Sequence, residues 1–181
     1  MVTLDKKEIR KKYKEIRKNL SGDITDKLYS DNIYINAKAI FTFVNYGSEI
    51  GTTNLIKRAL RDDKIVAVPY MTGNPHEMVF IRISTIDELK PNKIGILEPE
   101  YNTNNVIKSN KDTLIIVPGL AFDNDFYRIG YGGGFYDKYI DENEYMTTVG
   151  VCFDEQITNV VPRDEYDRAV DIIVTNSKIW R

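Results

Sequence analysis

The densest chemistry in the chain lies in Arg128-Ile129-Gly130-Tyr131-Gly132-Gly133-Gly134-Phe135-Tyr136-Asp137. Four of these ten residues are glycine, out of 11 in all, so the backbone here can take positive φ, expected at Gly133, and can approach a ligand closely. An apolar run, Thr113 to Val117, and then Pro118-Gly119 precede the stretch. Tyr136, Tyr139 and Ile140 follow at helical spacing. The order is buried strand, loop, glycine turn, helix. It leaves free N–H groups at a helix N-terminus, where an anion is favoured. Arg128 adds a planar fork of donors suited to phosphate. Asp137, one turn into the helix, could hold a cation against the same phosphates. The alternative is a tight turn with no ligand. The stretch is not a P-loop, because Phe135-Tyr136 stands where Lys-Ser/Thr would be, and it matches the dinucleotide fingerprint only in a loose register.

A second set of charges lies near the start. Residues 5–20 read as an amphipathic helix, with Asp5 and Glu8 as a capping-box start and Ile9, Tyr13, Ile16 and Leu20 as one apolar stripe. Lys6, Arg10 and Arg17 fall beside that stripe, whereas Lys7, Lys11, Lys14 and Lys18 project away from it. Either the first three reach into a cleft or the whole basic face is solvated. Glu49 sits in the loop Tyr46 to Gly51, just past a predicted strand, where open α/β sheets place ligands.

Other chemistry is excluded. His76 is the one histidine and lies in a polar loop, which argues against a histidine triad or a zinc site. Cys152 is embedded in the apolar strand Val149 to Phe153 and reads as a small buried hydrophobe. A phosphate-type loop, basic residues and a few carboxylates suit electrostatic phosphoryl transfer better than covalent catalysis.

The elements that position these residues alternate. Strands are predicted at 39–44, 64–68, 78–83, 114–117, 147–153 and 171–174. Helices are predicted at 5–20, 25–38, 53–61 and from Phe135, with irregular segments at 91–101 and 156–168. The pattern is α/β with a largely parallel sheet, in one domain over 1–181. The chain has 181 residues, 42% of them hydrophobic, and a net charge of -2, which speaks against a nucleic-acid partner. One cysteine excludes an internal disulfide, no apolar run reaches membrane-spanning length, and the start carries no apolar signal. A cytoplasmic protein without a membrane partner is expected.

Pro118-Gly119-Leu120-Ala121-Phe122-Asp123, followed by the glycine stretch, resembles the signature of the 5-formyltetrahydrofolate cyclo-ligases, or methenyltetrahydrofolate synthetases. Weaker segments agree in order: Lys6 to Arg10, Glu49 to Thr52, Gly95 to Pro99, Glu155 to Ile157 and Val161 to Asp167. The resemblance implies a three-layer α/β/α sandwich, expected to be monomeric. Its implied activity is ATP- and magnesium-dependent closure of 5-formyltetrahydrofolate to 5,10-methenyltetrahydrofolate. It further implies nucleotide contacts at Lys6, Lys7, Glu8, Ile9, Arg10, Arg128, Ile129, Gly130, Tyr131, Gly132, Gly133, Gly134, Phe135 and Tyr136, with Lys6, Arg10 and Arg128 as the catalytic charges. Implied folate contacts are Val44, Glu49, Tyr131, Gly132, Gly133, Gly134 and Phe135, and implied magnesium ligands are Asp137 and Asp167. Phe135 departs from a tyrosine frequent in the family. The alternative is a relative that binds nucleotide and folate without turnover.

Overall fold

The computed structural model describes residues 5–24 and 26–181. The first helix, α1 (Lys6–Arg17), starts at the predicted capping box. The Asp5 carboxylate accepts from the Glu8 N–H at 2.7 Å, and the Glu8 carboxylate accepts from the Asp5 N–H at 3.1 Å. The segment expected as one helix over 25–38 is two short ones, α2 (Asp26–Tyr29) and α3 (Asn32–Asn36); its first residue lies outside the described residues. Asp31 makes the break. Its backbone is extended, and its side chain accepts from the Ile33 N–H at 3.0 Å, capping α3 instead of continuing α2. Helices α4 (Thr53–Arg61) and α5 (Phe135–Glu142) follow the prediction.

In chain order the strands are β1 (Ala39–Thr42), β2 (Ile65–Met71), β3 (Met78–Ile83), β4 (Lys90–Pro91), β5 (Leu97–Glu98), β6 (Val106–Ile107) and β7 (Thr113–Pro118). They continue with β8 (Ala121–Asp123), β9 (Arg128–Ile129), β10 (Thr147–Cys152), β11 (Ile157–Thr158), β12 (Ile172–Thr175) and β13 (Ile179–Trp180). The main sheet runs β13-β12-β10-β7-β1-β2-β3-β6. Its five central strands are parallel, and β3, β6 and β13 extend it with antiparallel pairings at the edges. The segment 91–101, expected as loop, contributes the small antiparallel pair β4–β5.

Alternation along the buried strands divides the core. Ile40, Val66, Leu114, Ile116 and Val151 face α2–α4, whereas Phe41, Ala67, Ile115, Val117 and Cys152 face α5. This is a three-layer sandwich. The chain leaves β1 toward β2 on one side and later returns through β7 on the other. The sheet therefore reverses its winding between β1 and β7, and a crevice opens beyond their C-terminal ends. Among the described residues no helix is long and apolar enough to cross a membrane.

A three-stranded sheet, β11-β8-β9, sits beside this crevice, and α1 lies on it through Ile9 and Tyr13 against Leu120, Ala121, Ile129 and Val161. Phe122 joins the two sheets. Its ring is fully buried and occupies the space a Cβ would need at Gly119 (2.5 Å) and at Gly150 (2.3 Å). Gly150→Ala is therefore expected to destabilise the fold by about 1–3 kcal/mol through overpacking. Adding Phe122→Leu should recover part of that loss, read as urea unfolding midpoints of the single and double variants.

Candidate active site

A cleft of about 1020 Å³ occupies the crevice. Val44 and Pro69 reach it from beyond β1 and from β2, and Pro118 and Gly119 from the end of β7. The glycine loop from Gly130 to Gly134 forms one wall, and Ile94, Ile96 and Leu97 of the β4–β5 hairpin form another.

The glycine loop is shaped by local geometry. Gly132 (φ 104°) and Gly134 (φ 65°) take the left-handed region, so each resists substitution on backbone grounds. Gly133 was the position expected to do so and does not. Its constraint is steric: a Cβ there would come within 2.3 Å of the Phe135 ring. Gly134 is the N-cap residue of α5, and no side chain caps that terminus, so its first-turn N–H groups face the loop side unscreened.

Helix α1 presents its charges as its periodicity predicts. Lys7, Lys11, Lys14 and Lys18 are exposed, Arg17 is buried, and Lys6 and Arg10 line the cleft. Arg10 Nε donates to the Gly130 carbonyl at 2.9 Å, and its guanidinium lies against Gly132, where a Cβ would meet it at 3.3 Å. Lys6 Nζ donates to Asp164 (2.7 Å) and Asp167 (2.5 Å). Partial burial lowers the Lys6 pKa, but the hydrogen bonds to the two aspartates outweigh it and leave the group raised. Three residues implied as nucleotide contacts do not line the cleft. Lys7 points to solvent, the Glu8 carboxylate is occupied by the capping box, and Ile9 is buried under α1.

At the end of the cleft nearest α5, Arg128 is buried at the base of the loop. It donates to the Arg168 carbonyl at 2.9 Å and pairs with Asp137 Oδ1 at 3.1 Å. Asp137 Oδ1 also accepts from the Arg168 N–H at 3.0 Å. Asp167 Oδ2 takes Lys6 and the Asp164 N–H (2.7 Å), not Arg163 or the Arg168 side chain, which pair with Asp123, Asp125 and Asp141. Asp137 and Asp167 both line the cleft. Each keeps its other oxygen without a partner among the described residues, so the donor set fits a hard divalent cation that takes further oxygens from phosphate.

At the opposite end stand Val44 and Glu49. The Glu49 side chain is only 12% exposed. Burial raises its pKa, opposed by the Tyr46 N–H, the Arg17 guanidinium and the Tyr131 hydroxyl. Tyr131 reaches over from the glycine loop, and its hydroxyl accepts from Arg17. Gly132, Gly133 and Phe135 also line the wall, as does Tyr136, whose hydroxyl is buried without a partner among the described residues.

Sequence reasoning missed several lining residues. Tyr46, Ile94 and Arg168 come from loops, Met71 from the end of β2, and Asp164 from the Val161 to Asp167 segment without having been singled out. His76 meets the Gly133 carbonyl through Nδ1 across 57 positions of chain, a contact no local spacing announces.

With this geometry in hand, the chain can be set beside known proteins. The model of the 5-formyltetrahydrofolate cyclo-ligase family matches residues 3–176. The Escherichia coli (strain K12) 5-formyltetrahydrofolate cyclo-ligase is 30% identical over 152 residues, covering 81% of this chain and 82% of that protein. The Haemophilus influenzae enzyme of the same name is 29% identical over 96% of this chain and all of its own length. The solution structure of Aquifex aeolicus 5,10-methenyltetrahydrofolate synthetase superposes with a TM-score of 0.79 at 28% identity, covering 97% of this chain and 92% of that one. The family match and these relatives identify a ligase of folate one-carbon metabolism, on a mostly parallel α/β architecture of the same kind. The chain belongs to the 5-formyltetrahydrofolate cyclo-ligase family.

The raised pKa of Glu49 sets a pH dependence. A carboxyl raised in the folded state contributes stability that is present below its unfolded pKa and lost as pH rises through the folded one. Glutamine cannot ionise. Glu49→Gln is therefore expected to be nearly neutral at pH 4 and to gain stability over wild type by pH 8, measured as urea midpoints at the two pH values.

Proposed function

We propose that the cleft binds ATP and 5-formyltetrahydrofolate together and forms 5,10-methenyltetrahydrofolate, ADP and phosphate. One observation carries this reading: Lys6, Arg10 and Arg128 at one end and Val44 and Glu49 at the other line a single continuous cleft, and the glycine loop spans both. The formyl oxygen attacks the γ-phosphorus and ADP leaves. The N10 lone pair then attacks the activated formyl carbon, N10 loses its proton, and the C–O bond breaks to release phosphate. The formyl oxygen is itself the nucleophile, so no serine, cysteine or histidine is required. The protein's part is alignment and charge neutralisation.

Each group has a place in that scheme. The unscreened N-terminus of α5, Lys6, Arg10 and Arg128 hold the phosphates. Glu49 accepts from the N–H donors at the pterin edge, with Val44, Tyr131 and Phe135 against the ring. Asp137 and Asp167 would hold magnesium, and that ion supplies further neutralisation of phosphate charge. Among the described residues no group of three or more His, Cys, Asp or Glu forms a closed cage, so its remaining ligands would be phosphate oxygens and water. The protein acts as a monomer in this reading, since one chain supplies both ends of the cleft.

Appearance of methenyl-folate absorbance on mixing the protein with ATP, magnesium and 5-formyltetrahydrofolate tests the reading. Binding of both substrates without product would identify a non-catalytic relative. Arg10→Ala is expected to raise the KM for ATP by a factor matching the loss of about 1.5–3 kcal/mol from a charge-assisted hydrogen bond. Lys11→Ala, one position away and exposed, should leave it alone; equal effects would remove α1 from the nucleotide site. Asp167→Asn is expected to lower kcat strongly and move the magnesium titration to higher concentration. An unchanged titration would leave Asp167 as a partner for Lys6 only.

A further inference from the structure

Arg17 is an arginine almost without exposure, at 5%, in the last turn of α1. It does not line the cleft, yet two of the three residues its fork reaches, Glu49 and Tyr131, do. Nε donates to Ser48 Oγ at 3.2 Å, a terminal nitrogen lies 3.8 Å from Glu49 Oε1, and the other terminal nitrogen donates to the Tyr131 hydroxyl. The guanidinium carbon is 5.5 Å from the centre of the Tyr131 ring. Glu49 Oε2 is held separately by the Tyr46 N–H at 2.9 Å. One side chain of α1 thus joins the loop after β1 to the glycine loop.

We infer that Arg17 is a positioning residue for the folate side of the reaction: it fixes the Glu49 carboxylate and the Tyr131 ring in one arrangement and so sets affinity for the folate without touching either substrate. The inference rests on the proposed reading of Glu49 as a folate contact. A planar fork with five donors can serve three side chains at once, and a lysine ammonium cannot hold that geometry. Glu49 sits where burial favours its neutral form, and a neutral carboxyl is a poorer acceptor for two N–H donors than a carboxylate. Arg17 is the cation that faces it; the other polar groups about it are the Tyr46 N–H and the Tyr131 hydroxyl. Arg17 is 11 positions from Lys6 on the same edge of the helix, so the nucleotide charges lie at the other end of α1.

A purely structural role would make Arg17 a bolt between α1 and its neighbours, and its loss would damage both ends of the cleft together. The two roles separate in steady-state kinetics of Arg17→Met, Glu49→Gln and the double variant, with urea unfolding as a check that each is folded. Arg17→Met is expected to raise the KM for 5-formyltetrahydrofolate about tenfold, the effect of roughly one strong hydrogen bond, with the KM for ATP within about twofold. In the Glu49→Gln background the same substitution should add less than about threefold, because both changes remove one interaction. Arg17→Lys should give an intermediate folate KM. If Arg17→Met does not fold, Arg17→Lys and Ser48→Ala carry the test, with a smaller rise in folate KM and an unchanged KM for ATP. Parallel rises in both KM values, or multiplicative effects in the double variant, would overturn the inference alone. An unchanged folate KM in Glu49→Gln would overturn the folate assignment of Glu49 and the inference with it.

Discussion

Ile9 and Tyr13 of α1 pack on Leu120, Ala121, Ile129 and Val161, and this apolar contact decides where every charge on the helix can reach. Lys6, Arg10 and Arg17 are spaced four and seven residues apart, so they share an edge. At 1.5 Å per residue the edge spans about 16 Å from first to last. The strip Leu120 to Ile129 that receives α1 also carries β9, which leads directly into the glycine loop. Helix and loop therefore rest on the same small sheet, which is bolted to the main sheet by Phe122 between Gly119 and Gly150. A shift in any of these apolar contacts would move cations, loop and α5 relative to the ends of β1 and β7.

The cations at the α5 end of the cleft are held in ion pairs. Lys6 rests on Asp164 and Asp167, and Arg128 rests on Asp137. On the proposed reading the cations belong to phosphate and two of the carboxylates to the metal. Both sets then find partners inside the protein when the cleft holds no substrate, which avoids leaving part-buried charge uncompensated. When nucleotide and metal enter together, each pair trades one opposite charge for another, and the net electrostatic change is smaller than either charge alone would require. Asp137 and Asp167 each use one oxygen in these pairs and leave the other free, so the exchange need not break the pair completely.

How much of this was legible in the sequence depends on the range of the signal. The periodicity of α1 separated Lys6, Arg10 and Arg17 from Lys7, Lys11, Lys14 and Lys18, and the second set is exposed, because a 3.6-residue repeat is a local property. Of the first set Lys6 and Arg10 line the cleft and Arg17 is buried behind it, and Lys14 still reaches the Tyr131 ring. The strand–turn–helix order around Gly130 to Gly134 was legible for the same reason. The break at Asp31 was not, because a capping aspartate and an interior one look alike without φ and ψ. Gly133 was assigned positive φ when Gly132 and Gly134 have it; composition locates a glycine turn but not which members take the left-handed region. Ile9 was carried into the nucleotide set by its place within Lys6 to Arg10, although the apolar stripe had already assigned it to the core. Arg17 was visible beside the stripe, but its partners Ser48, Glu49 and Tyr131 are 31, 32 and 114 positions away, and only the folded chain shows that they converge.

The apolar part of the cleft matters as much as its charges. The proposed reaction passes through an activated formyl phosphate, which water would hydrolyse before N10 reached it. Phe43, Val44, Pro69, Met71, Ile94, Ile96, Leu97 and Phe135 all line the cavity, a wall drawn from the segment after β1, β2, the β4–β5 hairpin and α5. The hairpin is tied in place by Tyr46, whose hydroxyl donates to the Ile94 carbonyl at 2.8 Å. The N–H of that same tyrosine holds Glu49. The loop after β1 therefore anchors the Glu49 carboxylate, the proposed folate contact, with its backbone and the apolar wall with its side chain. The dry environment that this wall provides is also what raises Glu49, so a site that protects the intermediate must place a cation behind its carboxylate, and Arg17 stands there.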